Sequence, residues 1–320
     1  MIGEMCGFLP GYEQVSGGSV NVVLLSAHPR PGIDFGGHAF PSIIDLIGDG
    51  VWDLIVGNND GTLDHFKQES IGSSSFSFFA DTLFGIEVSS FSSPVFIDLD
   101  HNGLMDMIVG EFNGNLNHYE QTVAGSFDFT LITDSFNNIE LGDETAPAIT
   151  DLNADGLFDL IIGRGNGTLC HYVQDGIGST GFSLVSDHFN DIDVGWVAKP
   201  SFTSLFDDGL LDMIIGEQGG ALFHYKQDSL GSSNFTLISE NFNGFVAGGN
   251  SSPVFADINR DGIMDLLVGN ENGGIRYFQR NEETGVGQES LGKNPLGLIS
   301  NYPNPFFSYT HIRYTLHEPA

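Results

Sequence analysis

Apolar residues fall along this chain in short runs, and no stretch keeps the 3.6-residue period of a helix. One run, DLIVG at Asp53, returns as DMIVG at Asp106, DLIIG at Asp159, DMIIG at Asp212 and DLLVG at Asp265. A proline stands twelve residues before each, at Pro41, Pro94, Pro147, Pro200 and Pro253, so the period is 53 residues without a slip. Four residues beyond each strand-ending glycine comes a second glycine, then an alternating run such as TLDHF or TLCHY. A fourth run opens at Phe76, Phe129, Phe182 and Phe235. Each unit therefore holds four short β-prone runs separated by turn residues. That is the pattern of a β-propeller blade, and the runs are apolar on both faces, as blades packed face to face require. The coils of a parallel β-helix, the other repeat architecture considered, are much shorter. The expected fold is all-β, a propeller of four-stranded blades.

Composition narrows the partners. The 320 residues carry 42 acidic side chains against 10 basic ones, a formal net charge of −32. Such a chain has no basic face to neutralise phosphates, so nucleic acid is excluded as a partner, and anionic lipid repels it. No apolar run is long enough to span a bilayer, so direct membrane insertion is not expected. Two cysteines, Cys6 and Cys170, build no disulfide framework.

The acidity has a pattern of its own. DLNADGLFD, Asp151 to Asp159, puts Asp151, Asn153 and Asp155 on alternate residues, turns at Gly156 and ends on a further aspartate. Ca²⁺ takes six to eight oxygens at about 2.3–2.6 Å, and a tight loop with alternate inward oxygens supplies them. The shell expected here is Asp151, Asn153, Asp155, the Leu157 carbonyl and Asp159. The same set recurs as Asp98, Asp100, Asn102, Leu104 and Asp106, and as Asp257, Asn259, Asp261, Ile263 and Asp265. The first repeat keeps Asp45, Asp49 and Asp53 but has Ile47 at the third position, a weaker site. The fourth has Ser204 and Phe206 where ligands should stand, leaving Asp208 and Asp212, and is expected to be empty. A solvated Asx-rich turn is the competing reading; recurrence in register weighs against it. The remaining acidity, beside only four lysines, suits a surface in saline surroundings.

The pattern Pro-x-x-x-Asp-x-(Asp/Asn)-x-(Asp/Asn)-Gly-x-x-Asp, followed by an apolar strand ending in Gly, resembles the FG-GAP/VCBS repeat family over roughly residues 1–280. That resemblance implies a calcium-binding propeller outside the cell, as in integrin-like ectodomains, bacterial surface proteins, some lectins and some polysaccharide lyases. It implies no particular ligand.

The ends add three expectations. MIGEMCGFLPGYEQ aligns on IIGEQGGALFHYKQ at Ile214, so residues 1–35 read as part of an upstream blade, followed by five repeats over 36–280. That gives six sheets in this chain, the first lacking its inner strand and the last its outer one, and a ring that is either incomplete or closed by pairing the N-terminal strands with the fifth repeat. An intact protein that begins further upstream with a signal peptide is expected to have six or seven blades. Residues 281–296 read as a polar linker. Residues 297–320, with NYPNPF and THIRYTLHEP, resemble the start of a truncated C-terminal sorting domain, which implies export by the outer-membrane type IX secretion machinery.

Catalytic candidates are few. His65, His118, His171 and His224 share one repeat position, but equivalent positions on successive blades lie about 10 Å apart, too far to converge on a zinc ion. They are expected to pack and hydrogen-bond. No nucleophile motif or His-Glu-x-x-His appears. The expected role is a secreted or cell-surface, calcium-stabilised, non-catalytic module for adhesion, spacing, or binding an extracellular glycan or protein. The alternative is the scaffold of an extracellular polysaccharide lyase or hydrolase. The near-perfect period speaks against that alternative, because active sites arise from loop variation.

Overall fold

The computed structural model describes residues 37–280, apart from 82, 207 and 245–247, together with the strands Val20–Val23, Leu296–Tyr302 and His311–Leu316. Blade 1 consists of Phe40–Ile44, Asp53–Gly57, Leu63–Gln68 and Phe76–Ala80, paired in that order. Blades 2, 3 and 4 repeat it from Ser93, Thr145 and Lys199, and blade 5 begins with Ser252–Ala256. All the neighbouring strands are antiparallel. The first strands of successive blades touch, blade 5 meeting blade 1, so the ring closes around a channel of about 220 Å³.

Both faces of each second strand are buried, which explains the unbroken apolar runs. In blade 3, Leu160 and Ile162 join the core shared with blade 2, whereas Ile161 joins the core shared with blade 4. The period of two along a strand thus assigns alternate side chains to alternate neighbours. The strand-ending glycine follows from the same packing: a Cβ on Gly163 would collide with the carbonyl of Ala198 in the next blade. The recurring proline sits in the innermost strand, whose free edge faces the channel, so its missing N–H breaks no ladder.

Six propeller sheets and six or seven blades are not what the chain forms. Among the described residues there are five four-stranded blades. Val20–Val23 pairs antiparallel with Ile275–Arg280, Val20 opposite Arg280 and Val23 opposite Tyr277. It is the outer strand that the fifth repeat lacks. The two incomplete sheets read from the sequence are parts of one blade, and their joining closes the ring. The rest of the proposed upstream blade, residues 1–19 and 24–35, lies outside the described residues.

Contacts separate Met1–Arg280 from a second unit, Asn281–Ala320. In that unit Leu296–Tyr302 pairs antiparallel with His311–Leu316. Residues 281–295, the bulk of the expected linker, lie outside the described residues. Among the described residues no helix is long and apolar enough to cross a membrane.

Candidate metal centres on one face, divergent turns on the other

Each aspartate loop joins the first strand of a blade to the second. In blade 2, Asp98 folds the loop around itself: its Oδ1 accepts the Asn102 N–H at 3.1 Å and its Oδ2 the Gly103 N–H at 3.0 Å. Asp151 does the same for Asp155 and Gly156, and Asp257 for Asp261 and Gly262. The third-position oxygens of Asp100, Asn153 and Asn259 accept the fifth-residue N–H. Asn102, Asp155 and Asp261 in turn accept the N–H of Leu104, Leu157 and Ile263. Carboxylate oxygens of Asp98, Asp100 and Asp106 all lie within 4.8 Å of one another. Each acceptor retains a lone pair, so the oxygen chemistry of these loops fits a hard divalent cation.

The ninth-position aspartate does more than the sequence assigned to it. Asp106 is buried, its Oδ2 accepts the Leu99 N–H at 2.8 Å, and its Oδ1 takes the Nε2 of His118 at 2.6 Å. The same aspartate–histidine pair is made by Asp53 with His65, Asp159 with His171 and Asp212 with His224. The histidines hold the base of each loop and do not converge. In blade 5, where the period puts Tyr277, the phenol donates to Asp265 at 2.9 Å. Burial raises the Asp265 carboxyl to about 6 and pushes the Tyr277 phenol well above its ordinary value.

Blades 1 and 4, whose loops lack the third-position ligand, carry their own cation. Lys67 Nζ lies 2.7 Å from Asp49, and Lys226 Nζ lies 2.6 Å from Asp208 and 3.8 Å from Asp212. The lysine hydrogen bonds hold both exposed carboxyls, Asp49 and Asp208, below their ordinary values. The equivalent third-strand residue is Glu120 in blade 2 and Val173 in blade 3. Lysine thus occurs at this position only where the loop is incomplete. The spacing of Lys67 and Lys226, three periods apart, was the available signal.

The opposite end of the ring, formed by the blade-to-blade connections and the turns between second and third strands, is where the repeats diverge. The position opening each blade is His38, Phe91, Glu144, Val197 or Asn250; two residues on come Phe40, Ser93, Ala146, Lys199 and Ser252. Sequence reasoning, following what the repeats share, passed over these positions. Comparing the five copies at each position would have found them.

A family model described as an FG-GAP-like repeat matches residues 45–109 and 205–268. Those two stretches are similar to FG-GAP-like repeats. No curated protein matches the sequence. Among solved structures, this propeller is similar to the catalytic domain of an α-L-arabinofuranosidase from Coprinopsis cinerea, at 13% identity and a TM-score of 0.54, over 82% of this chain and 96% of that one. It is also similar to an α-L-arabinofuranosidase from Podospora anserina in complex with cellotriose, at 12% identity and a TM-score of 0.50, over 79% and 93%. An endo-arabinase from Bacteroides thetaiotaomicron matches at 14% identity and a TM-score of 0.50, over 76% and 93%. At these identities the likeness is one of fold.

Proposed function

We propose that this chain is a calcium-stabilised propeller of the cell exterior that acts as a non-catalytic binding module for an extracellular glycan or protein. The observation that carries the calcium reading is the convergence of the Asp98, Asp100 and Asp106 carboxylates within 4.8 Å at one turn. The loops at Asp151 and Asp257 share its backbone pattern. Bound calcium would supply charge neutralisation that fixes the loop. Asp98, Asp100, Asn102 and Asp106, with their counterparts in blades 3 and 5, would hold it. In blades 1 and 4 the lysine ammonium takes over that task. The tail's resemblance to a sorting domain supports export by type IX secretion.

A ligand that binds only the folded state adds about 2.7 kcal/mol at a hundredfold excess over Kd. Melting in millimolar calcium and again in excess chelator tests the reading. Chelation should lower the Tm by several degrees, and Asp155→Ala should abolish more of that shift than Asp208→Ala. Superimposable melting curves would overturn it. The hydrolase alternative draws on the two α-L-arabinofuranosidases and the endo-arabinase that are similar in fold. Release of sugars from polysaccharides in a degradation assay would establish that alternative.

A further inference from the structure

The channel is capped at the divergent end by a side chain that crosses it. Lys199 belongs to blade 4, yet its Nζ lies 4.1 Å from the ring centroid of Phe40 in blade 1, two blades away around the ring. It also lies 3.7 Å from Glu144 of blade 3, close enough for an ion pair but too far for a hydrogen bond. Both residues are buried, Lys199 at 3% exposure and Glu144 at 8%, and neither Lys199 Nζ nor Glu144 Oε1 has a hydrogen-bond partner in the structure. Buried polar atoms without partners are rare, and each calls for an explanation.

Their surroundings are built from the same divergent positions. His38 accepts a hydrogen bond from the Asn250 amide on Nε2 at 2.9 Å and tilts against Phe91 at 4.8 Å. Phe91 tilts against Phe112 at 5.3 Å, and Phe112 is 49% exposed. Phe91 in turn stands edge-on to Phe40 at 6.3 Å, so an aromatic row leads from exposed Phe112 to the ring under Lys199. Four of the five blade-opening residues, His38, Phe91, Val197 and Asn250, hold φ between 53° and 56°. That conformation is costly for a bulky or β-branched residue.

We propose that this mouth is a binding site for a neutral saccharide, with a ring face on the Phe91–Phe112 row and a hydroxyl bridging Lys199 and Glu144. A hydroxyl both donates and accepts, so one group satisfies the ammonium and the carboxylate together. A carboxylate ligand serves only Lys199, and an amine only Glu144. Anionic sugars also meet Asp143 and Glu271, whose carboxylates lie over Gly165 and Gly249 at the same turns. An apolar wall with a few placed polar groups is the usual composition of a small-ligand site. This inference rests on the binding-module reading but not on calcium.

The test is isothermal titration of the full chain, in saturating calcium, with maltotriose, cellotriose, xylotriose, arabinotriose and trigalacturonate. At least one neutral trisaccharide should bind at one site per chain, with trigalacturonate weaker. Phe112→Ala, at an exposed position, should weaken that binding about tenfold. Lys199→Met should abolish it; if that variant does not fold, Phe112→Ala decides. Absence of binding by every neutral probe, tighter binding of trigalacturonate, or binding unchanged by Phe112→Ala would overturn the proposal. Saturating calcium keeps a failure here separate from a failure of the metal reading.

Discussion

His171 is buried between Asp159 and Phe189, donating to the carboxylate at 2.6 Å and meeting the ring edge-on at 5.1 Å. Removing it leaves a buried charge short of a donor and opens a cavity. Breaking one side of such a pair costs about 3–5 kcal/mol. His171→Ala should lower unfolding stability in denaturant by about that amount. A loss under 1 kcal/mol would mean the pair is incidental. Lys199 offers a test by pH. Burial lowers its ammonium to about 8. Between that value and an unfolded pKa of about 10.4, the unfolded chain binds more protons, so this group's contribution to stability grows with pH. It is fully present above the unfolded value and lost as pH falls through about 8. Wild type should therefore gain stability relative to Lys199→Met as pH rises from 8 to 10; parallel pH profiles would contradict the burial. The structural role of the histidines was legible from their spacing, because equivalent residues on successive blades cannot meet. The Lys199–Glu144 pair was not, because its partners lie in different repeats at positions that share no residue type.

Among the elements, a glutamine ending each of the first four third strands does the joining. Gln174 Oε1 accepts the Phe158 N–H at 3.1 Å, and its Nε2 donates to Ser179 at 2.6 Å and to Leu99 of the preceding blade at 2.9 Å. Gln68, Gln121 and Gln227 repeat the arrangement. One side chain thus ties the turn between the third and fourth strands of its own blade to its own aspartate loop and to that of its neighbour. Gln174→Ala leaves a backbone N–H and two carbonyls short of partners and should cost about 2–4 kcal/mol. Gln174→Glu, which keeps the acceptor but sets a buried carboxylate oxygen against the Ser179 and Leu99 carbonyls, should cost at least as much. Equal stability of Gln174→Ala and wild type would show that blade contacts do not run through this residue. The strands were legible because each run is short, apolar and bounded by glycine. The 3₁₀ turns at Phe136–Asn138 and Phe189–Asp191 were not, because a buried phenylalanine packed on the histidine shapes each one, and no local propensity marks it.

Over the whole molecule, the ring is closed by hydrogen bonding between distant parts of the chain. Val20–Val23 completes the sheet of Ile275–Arg280, so the first described strand and the last strand of the propeller lie side by side. The repeats left this closure as one of two outcomes beside an incomplete ring, because an N-terminal part-sheet and a C-terminal part-sheet look like two blades until the strand pairing joins them. Deleting residues 1–23 should expose the Ile275–Arg280 edge, lower the Tm and cause concentration-dependent association. A truncated chain that stays monomeric at the wild-type Tm would contradict the closure.

The same blade-by-blade logic divides the loops into two kinds, three suited to a divalent cation and two holding a lysine. Calorimetric titration of the chelator-treated chain with calcium counts them directly. The account predicts three sites, reduced by one in Asp100→Ala, Asp155→Ala and Asp261→Ala and unchanged in Asp49→Ala and Asp208→Ala. No heat of binding, or a count unaltered by those three substitutions, would contradict it.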